Sequence, residues 1–541
     1  MRRTAQRQPI ADLPTLRGTN SLIAVKRRSV FMVFCLLWWR TRHYIGCLMS
    51  NVIRVLMIAL MVSCAPPYRA APLGQVAAGG DYGGYRPAYQ GYGVNTPAGR
   101  GGSVLRVTHL GDTTNTSSPL WAGSLRKALT APGARFVVFE VSGTISLVTD
   151  LVILNPFLTI AGQTAPSPGI TLRNGYIELD THDIVIQHLR VRPGPTNNLP
   201  HGIHVRSNAN NIVLDHVSVS WTVWTAIDLF APDSAVGIGD VTIIDSIVSE
   251  ALGCPGVNFL YPCSTTAPVP GQHPNSRALL FGDNNTNPTY NNGTTRVALI
   301  RTLAAHNNDR QPEIQGDVNA VLINNVVYNP SLTPLGALHV GDWYHRGPTQ
   351  VAAIANLMIA GPTTPGNNGY VAKYYPEDGP AHMVRIDPTI APGSQIFLSG
   401  NYYSRDCGGI ACLANATTQW MLATDFAAPQ GNNIRATVSP IALANLPSSS
   451  VMPYSQVEGW VLDHAGARPL DRDPVDTRIV RDVRNRTGSF INLPDDVGGY
   501  PALAENHRTL GVPDNPNAVA DSVGRTRIEV WLENMARALE Q

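Results

Sequence analysis

Few residues in this sequence have the type and spacing for chemistry, and they are scattered along the chain. His201, His216 and His273 could each bind a metal, but no zinc-type ligand spacing and no strand-turn-helix nucleophile motif accompanies them. His216 follows Asp215 within an apolar run, the setting of a hydrogen-bonded structural histidine. Asp471-Arg-Asp473 and Asp495-Asp496 lack the remaining positions of a calcium loop and read as surface charge.

Charge narrows the partners. The formal net charge is +2, but residues 1–64 hold ten Lys/Arg against the single acid Asp12, leaving 30 basic and 37 acidic residues beyond them. A mildly acidic body has no general attraction for nucleic acid. Any polyanion must therefore be gripped by a local arginine cluster.

The first 64 residues read as an address. From Met49 a short basic start leads into an apolar core, residues 55–62, too short to span a bilayer. Small residues then precede Cys64, as in a lipoprotein cleavage signal, so Cys64 is expected to carry lipid and tether the protein outside the cytoplasm, on the outer membrane or cell surface. A plain secretory signal, giving a periplasmic or extracellular protein, is the alternative. The residues before Met49 read as a mis-assigned start. Cys254, Cys263, Cys407 and Cys412 then remain in the body. Bridges 254–263 and 407–412 would each close a small loop in an oxidising compartment, with reduced buried thiols as the other possibility.

The elements that must position any site recur. Residues 65–92 are rich in Ala, Pro, Gly and Tyr and read as a flexible linker. Beyond it a unit of apolar strand, polar corner and second apolar strand repeats, with corners at His188, His216, Ser246, Thr302, Asn325, Asn356 and Asn401. The intervals are 28, 30, 56, 23, 31 and 45 residues, and the 56 is expected to hide one coil, since Arg277-Ala-Leu-Leu-Phe-Gly282 lies inside it. Repeats of this size built from strands and turns predict an all-β solenoid, a single-stranded right-handed parallel β-helix over residues 93–440. Asn325, Asn356 and Asn401 should stack as an amide ladder. Ser124 heads a short N-terminal capping helix. Residues 441–541 should pack on the outside of the coils, and Ile528, Trp531, Leu532, Met535 and Leu539 form the stripe of a closing helix that covers the far end.

Several motifs together carry a resemblance: Gly91-Tyr-Gly-Val-Asn-Thr-Pro-Ala-Gly-Arg-Gly-Gly102, Leu158-Thr-Ile-Ala-Gly-Gln-Thr-Ala-Pro166, Leu214-Asp-His-Val-Ser-Val-Ser-Trp221, His306-Asn-Asn-Asp-Arg-Gln-Pro312 and Val475-Asp-Thr-Arg-Ile-Val480. In order and spacing, over roughly residues 91–500, the chain resembles the bacterial pectate lyases of the first polysaccharide-lyase family. The resemblance implies β-elimination: a base removes the proton beside a uronate carboxylate, and the glycosidic oxygen leaves. In that family calcium held by carboxylates neutralises the substrate, and an arginine is assigned proton abstraction. By similarity Arg310 takes the arginine's place, either with its basicity strongly altered or as an electrophile, because guanidinium deprotonates only above about pH 12. A plainer reading pairs Arg310 with Asp309 or Glu313 on a coil surface.

The chain departs from the family at the metal. Aligned on the calcium stretches, Asp228 is the one carboxylate, with Leu199, His201 and Trp224 where acids are expected. Asp228 and His201 are the candidate ligands, calcium is a possible cofactor with an incomplete site, and Asp228 could equally cap a turn. Arg277 stands where relatives tend to have lysine. It is expected, with His273, to bind substrate carboxylates. The implied activity is a monomeric lyase acting on a pectate-like acidic polysaccharide. The rivals are a surface-anchored uronate-binding protein with a degraded calcium site, and a glycoside hydrolase, which needs a convergent carboxylate pair.

Overall fold

A strand of three to six residues cannot bury its inward side chains alone, so each winding needs another above and below it. The computed structural model describes residues 90–541 except 197–199, 207–208, 231–237, 257–275, 283–294, 331–337, 344, 365–382, 407–410, 415–422, 426–433 and 443–450. They form a right-handed parallel β-helix. A typical coil runs through Ile184–Gln187 in a first sheet, Leu189–Val191 in a second and Ile203–Val205 in a third, then returns to the first at Ile212–Asp215. Ten strands stack in the first sheet, ten in the second and nine in the third. Only the last pair of the second sheet, Tyr402–Asp406 with Ala411–Ala414, is antiparallel among the described strands.

Alternation within each strand sends one set of side chains inward. In the third sheet Ile177, Ile203, Ile227 and Leu279 stack one over another in register, all without solvent exposure. Each such side chain contributes roughly 1.5–3 kcal/mol on burial. Between the first and second strands the chain turns through one left-handed residue: His188, His216, Asp245, Arg301, Asn324 and Ala355 have φ of 48–56°. Asn, Asp and His tolerate this region better than other non-glycine residues, which is why the corner reads as polar.

The residue after that corner builds the expected ladder. Asn325 Nδ2 donates to Asn356 Oδ1 at 2.8 Å, and Asn356 Nδ2 donates to Asn401 Oδ1 at 2.9 Å. The same nitrogens donate to the Leu299 and Leu322 carbonyls of the preceding coil. His188 and His216 therefore sit one position earlier in the corner than the asparagines, in register with Asp245.

The 56-residue interval is one coil, contrary to the sequence expectation of two. Asp240–Ile244 pairs directly with Thr295–Ile300, and Arg277–Phe281 is the third-sheet strand of that same winding. The extra length sits in connections, and loop closure grows unfavourable only slowly with length.

Helix α1, Leu125–Thr130, plugs the first coils with Leu125, Ala128 and Leu129. Its cap is Ser124, whose Oγ accepts from Lys127 N at 3.2 Å. The C-terminal segment supplies three more helices: α2, Tyr454–His464; α3, Pro474–Asn485; and α4, Arg527–Glu540. The first two have no counterpart in the sequence reading. They lay Val457, Val461, Ile479 and Val483 on Ile247, Leu303, Val326 and Leu357 of the second sheet's outer face. Helix α4 does not close the far end as expected. It packs Ile528 and Leu532 on the first sheet's outer face over the early coils, against Phe136, Val138, Val185 and Val213.

Asp473 is likewise not surface charge. It is 1% exposed, caps α3 by accepting from Asp476 N at 3.0 Å, and pairs with Arg192. Arg190 and Arg192 point outward from the second sheet with no solvent access, so a covering segment has to bring their carboxylates. Cys254 is disulfide-bonded. Its expected partner Cys263, and Cys407 and Cys64, lie outside the described residues, as does the side chain of Cys412.

Candidate active site

The third sheet has a polar outer row. Glu178, His204, Asp228, Leu280, Glu313 and His339 occupy one register position in six successive strands. Adjacent strands are about 4.8 Å apart, so neighbouring side chains of this row stand side by side. No described helix packs on this face. Glu178, His204, Asp228, Leu280 and Glu313 of this row instead floor a cleft of about 320 Å³, within the usual range for ligand sites. Its walls include Tyr176, His201, Trp224 and Arg310.

Arg310 reaches the cleft from the corner before Glu313–Ile314. Its backbone is left-handed, with φ of 61°, and is clamped to the preceding coil: Leu279 N donates to Arg310 O at 2.6 Å and Ala278 N to Asp309 O at 3.0 Å. The guanidinium Nη1 donates to Thr225 Oγ1 at 3.0 Å. Nε lies 2.7 Å from Glu313 Oε2, off the line of a good hydrogen bond, so this contact is chiefly a charge pairing. Glu313 is thus the partner that the plainer sequence reading named, but the pair lines a cleft instead of a featureless coil surface.

Arg277 begins the strand that pairs with Thr225–Leu229 on one side and bridges Asp309 on the other. Its guanidinium lies 4.8 Å over the Trp224 ring. The coil stack therefore brings Arg310, Arg277 and Asp228 to one flank. His273 and Leu199 lie outside the described residues.

Asp228 does not cap a turn. It is the middle of a strand and 1% exposed. His201 Nδ1 lies 2.8 Å from its Oδ1, and His204 Nδ1 lies 2.9 Å from its Oδ2. The two imidazoles stack with centroids 4.4 Å apart. Burial alone would raise the Asp228 pKa, but the charge of His201 and His204 outweighs it and holds the carboxyl well below the usual carboxylate range. For His204 burial disfavours the charged ring, yet Asp228 overcomes it and the pKa is raised.

This donor set does not fit calcium. Calcium takes six to eight oxygen ligands, and the cluster offers two imidazole nitrogens and one carboxylate. Of the three carboxylates in the cleft, Asp228 faces the imidazoles, Glu313 faces Arg310, and Glu178 accepts from Arg206 at 3.2 Å. A glycoside hydrolase needs a carboxyl placed to act as its acid, and each of these three already faces a basic side chain.

His204, Glu178, Arg206 and Glu313 were not singled out as site residues in the sequence. The one signal was alternation: in Ile203-His204-Val205 a lone polar residue between two core residues must face outward. His216 is the structural histidine expected, with Nδ1 2.6 Å from Asp215 Oδ1.

No protein-family model matches the chain. Among curated proteins it is 27% identical over 475 residues to one named probable pectate lyase C from Aspergillus flavus, with 83% of this chain and 93% of the relative covered. Its namesake from Aspergillus fumigatus is 26% identical over 479 residues, with the same coverage. Among solved structures, the cedar pollen allergen jun a 1 aligns at a TM-score of 0.45 and 15% identity over 69% of this chain and 90% of its own. A pectate lyase from Bacillus sp. N165, in complex with trigalacturonate, aligns at 0.42 and 12% over 70% and 98%. The fold assignment rests on the strand pairing. Over most of its length, the chain is similar in sequence to proteins named pectate lyases.

Proposed function

We propose that this protein is a polysaccharide lyase that cleaves polygalacturonate or a related uronate polymer by β-elimination. What supports the reading is a cleft on the third sheet lined by Arg310 and Asp228, with Arg277 beside it over Trp224, in a chain similar to pectate lyases along most of its length. Solvent hydroxide takes the C5 proton as water, the C5–H electrons form the C4–C5 double bond, and the C4–O bond breaks as the glycosidic oxygen leaves and takes a proton from water. Negative charge builds on the carboxylate and its neighbouring carbon on the way. Arg310 is the catalytic residue: ion-paired with Glu313, it presents a fixed guanidinium whose donors meet that charge. Arg277, with its guanidinium over the Trp224 ring, grips a substrate carboxylate with two parallel donors, and His273 assists it. No step is assigned to calcium, because the donors present do not suit it.

Export fits this reading. The leader and the disulfide-bonded Cys254 both belong to an oxidising compartment, where Cys64 would anchor the chain by a lipid.

The test is to mix protein with a panel of uronate polymers and follow ultraviolet absorbance of the unsaturated product, with and without chelator. Absorbance growth that Arg310→Ala abolishes is expected. A flat trace over the whole panel, or reducing ends without absorbance, would sink the proposal.

A further inference from the structure

The disagreement with calcium points somewhere specific. His201, His204 and Asp228 place three ligand atoms within 4.8 Å of one another, on the floor and wall of the cleft. Two imidazoles and a carboxylate form the donor set preferred by zinc, cobalt, nickel and iron(II), in sites that keep positions open to a ligand. Adjacent ligand atoms around a tetrahedral ion, with bonds of about 2.0–2.2 Å, lie about 3.3–3.6 Å apart. The observed contacts, 2.8 Å from His201 Nδ1 to Asp228 Oδ1 and 2.9 Å from His204 Nδ1 to Asp228 Oδ2, run to the two oxygens of one carboxylate and are shorter, so an ion would spread the three side chains by about half an ångström.

The His201 contact supplies an independent sign. Its Nδ1 and Asp228 Oδ1 are buried and 2.8 Å apart, yet the oxygen lies off the direction in which the ring nitrogen would donate. A ring nitrogen and an oxygen set this close with no well-aligned hydrogen bond between them are arranged as when both atoms bind a third body. The positions are also rigid. His204 and Asp228 are register partners on adjacent strands, and the two rings stack.

We propose that His201, His204 and Asp228 form a site for one nitrogen-preferring divalent cation of the zinc and cobalt type, with its open positions facing the cleft and suited to a carboxylate ligand. The rival is a hydrogen-bonded trio that takes no ion.

The full chain, stripped with chelator, is titrated with Co²⁺ while visible absorbance is recorded, then challenged with Zn²⁺ and with Ca²⁺. One equivalent of Co²⁺ should give a ligand-field spectrum that Zn²⁺ displaces stoichiometrically and a thousandfold excess of Ca²⁺ leaves intact. His204→Ala should weaken Co²⁺ binding at least 100-fold. His204→Gln, which keeps volume and polarity, should do the same with an unchanged melting temperature, which separates lost ligation from lost folding. No spectral change, displacement by Ca²⁺, or undiminished binding in the His204→Gln protein would overturn the site. No substrate is involved, so the result is separate from the lyase assay: a protein that makes unsaturated product but binds no Co²⁺ loses the metal and keeps the lyase.

Discussion

The second and third sheets are woven from the same short apolar strands, and both have arginines on their outer sides, yet one is sealed and the other borders a cleft. On the second sheet Arg190 and Arg192 are fully buried. Their carboxylates come from Asp473 and Asp476, about 280 residues further along the chain, with Arg192 Nη2 donating to Asp476 Oδ1 at 2.6 Å. On the third sheet Arg310 is paired with Glu313, three residues on in its own coil, and 13% of its side chain stays exposed. A partner brought from far away fastens a cover in place. A partner from the same coil fixes the arginine and leaves its other donors to face a ligand.

The most severe way to break the contrast is to remove the fastener. Asp473→Ala leaves Arg192 short of a buried partner and strips α3 of its cap, so it should destabilise the protein by roughly 3–5 kcal/mol, read by urea unfolding. Activity per folded molecule should be unchanged. The same group sets an acid limit. Burial works against Asp473's charge, but Arg192 and Arg190 outweigh it, so its pKa lies far below the unfolded value. A depressed carboxyl contributes fully above the unfolded pKa of about 3.9, and the contribution is lost as pH falls through the folded value. Melting temperature should therefore drop below about pH 4, and less steeply in Asp473→Asn. Equal slopes would detach the ion pair from the seal.

On the open face the reverse pattern is expected. Arg310→Ala should lower kcat about 100- to 1000-fold, the loss typical of one donor at a developing oxyanion. Arg310→Lys should keep the pairing with Glu313, and hence stability, but recover little kcat, since an ammonium lacks the planar fork. If lysine restored full turnover, the guanidinium would be acting only as charge.

Asn356 lies in the ladder at the corner between the first and second sheets, inside the stack and away from the cleft, so its removal should loosen the coils without altering the chemistry. It accepts from Asn325 and donates to Asn401 and Leu322. Asn356→Ala leaves buried groups unmet and should cost about 1–3 kcal/mol of stability with kcat unchanged.

How much of this was legible in the sequence follows from the range of each signal. The coils, their polar corners and the asparagine ladder repeat locally, so strand and corner types exposed them. The 56-residue coil misled because a third-sheet strand, Arg277–Phe281, looks like any other apolar strand; only its pairing with Thr225–Leu229 assigns it to a sheet. Helices α2 and α3 were hidden because their apolar stripes answer to a distant sheet face, and Asp473 looked like surface charge because its partners are so far away in sequence. At the site, motif similarity found Arg310, Arg277 and Asp228. His204 escaped because one histidine in a short strand has no meaning until the neighbouring strand sets Asp228 beside it.

The smallest effect is expected at Arg277, and it sharpens the contrast most finely. Its guanidinium lies over Trp224 and is not part of the cleft lining that holds Arg310 and Glu313, so it should bind a carboxylate equally in ground and transition states. Uniform binding changes KM and leaves kcat alone. Arg277→Lys should raise KM severalfold, Arg277→Ala about tenfold, equivalent to about 1.4 kcal/mol, both with kcat near wild type. Trp224→Leu should reproduce part of the KM rise by removing the platform on which the arginine lies. Steady-state kinetics on polygalacturonate decide it: a fall in kcat with KM constant would move Arg277 into the reacting centre beside Arg310, and the open face would then hold two catalytic arginines instead of one catalytic and one that holds substrate.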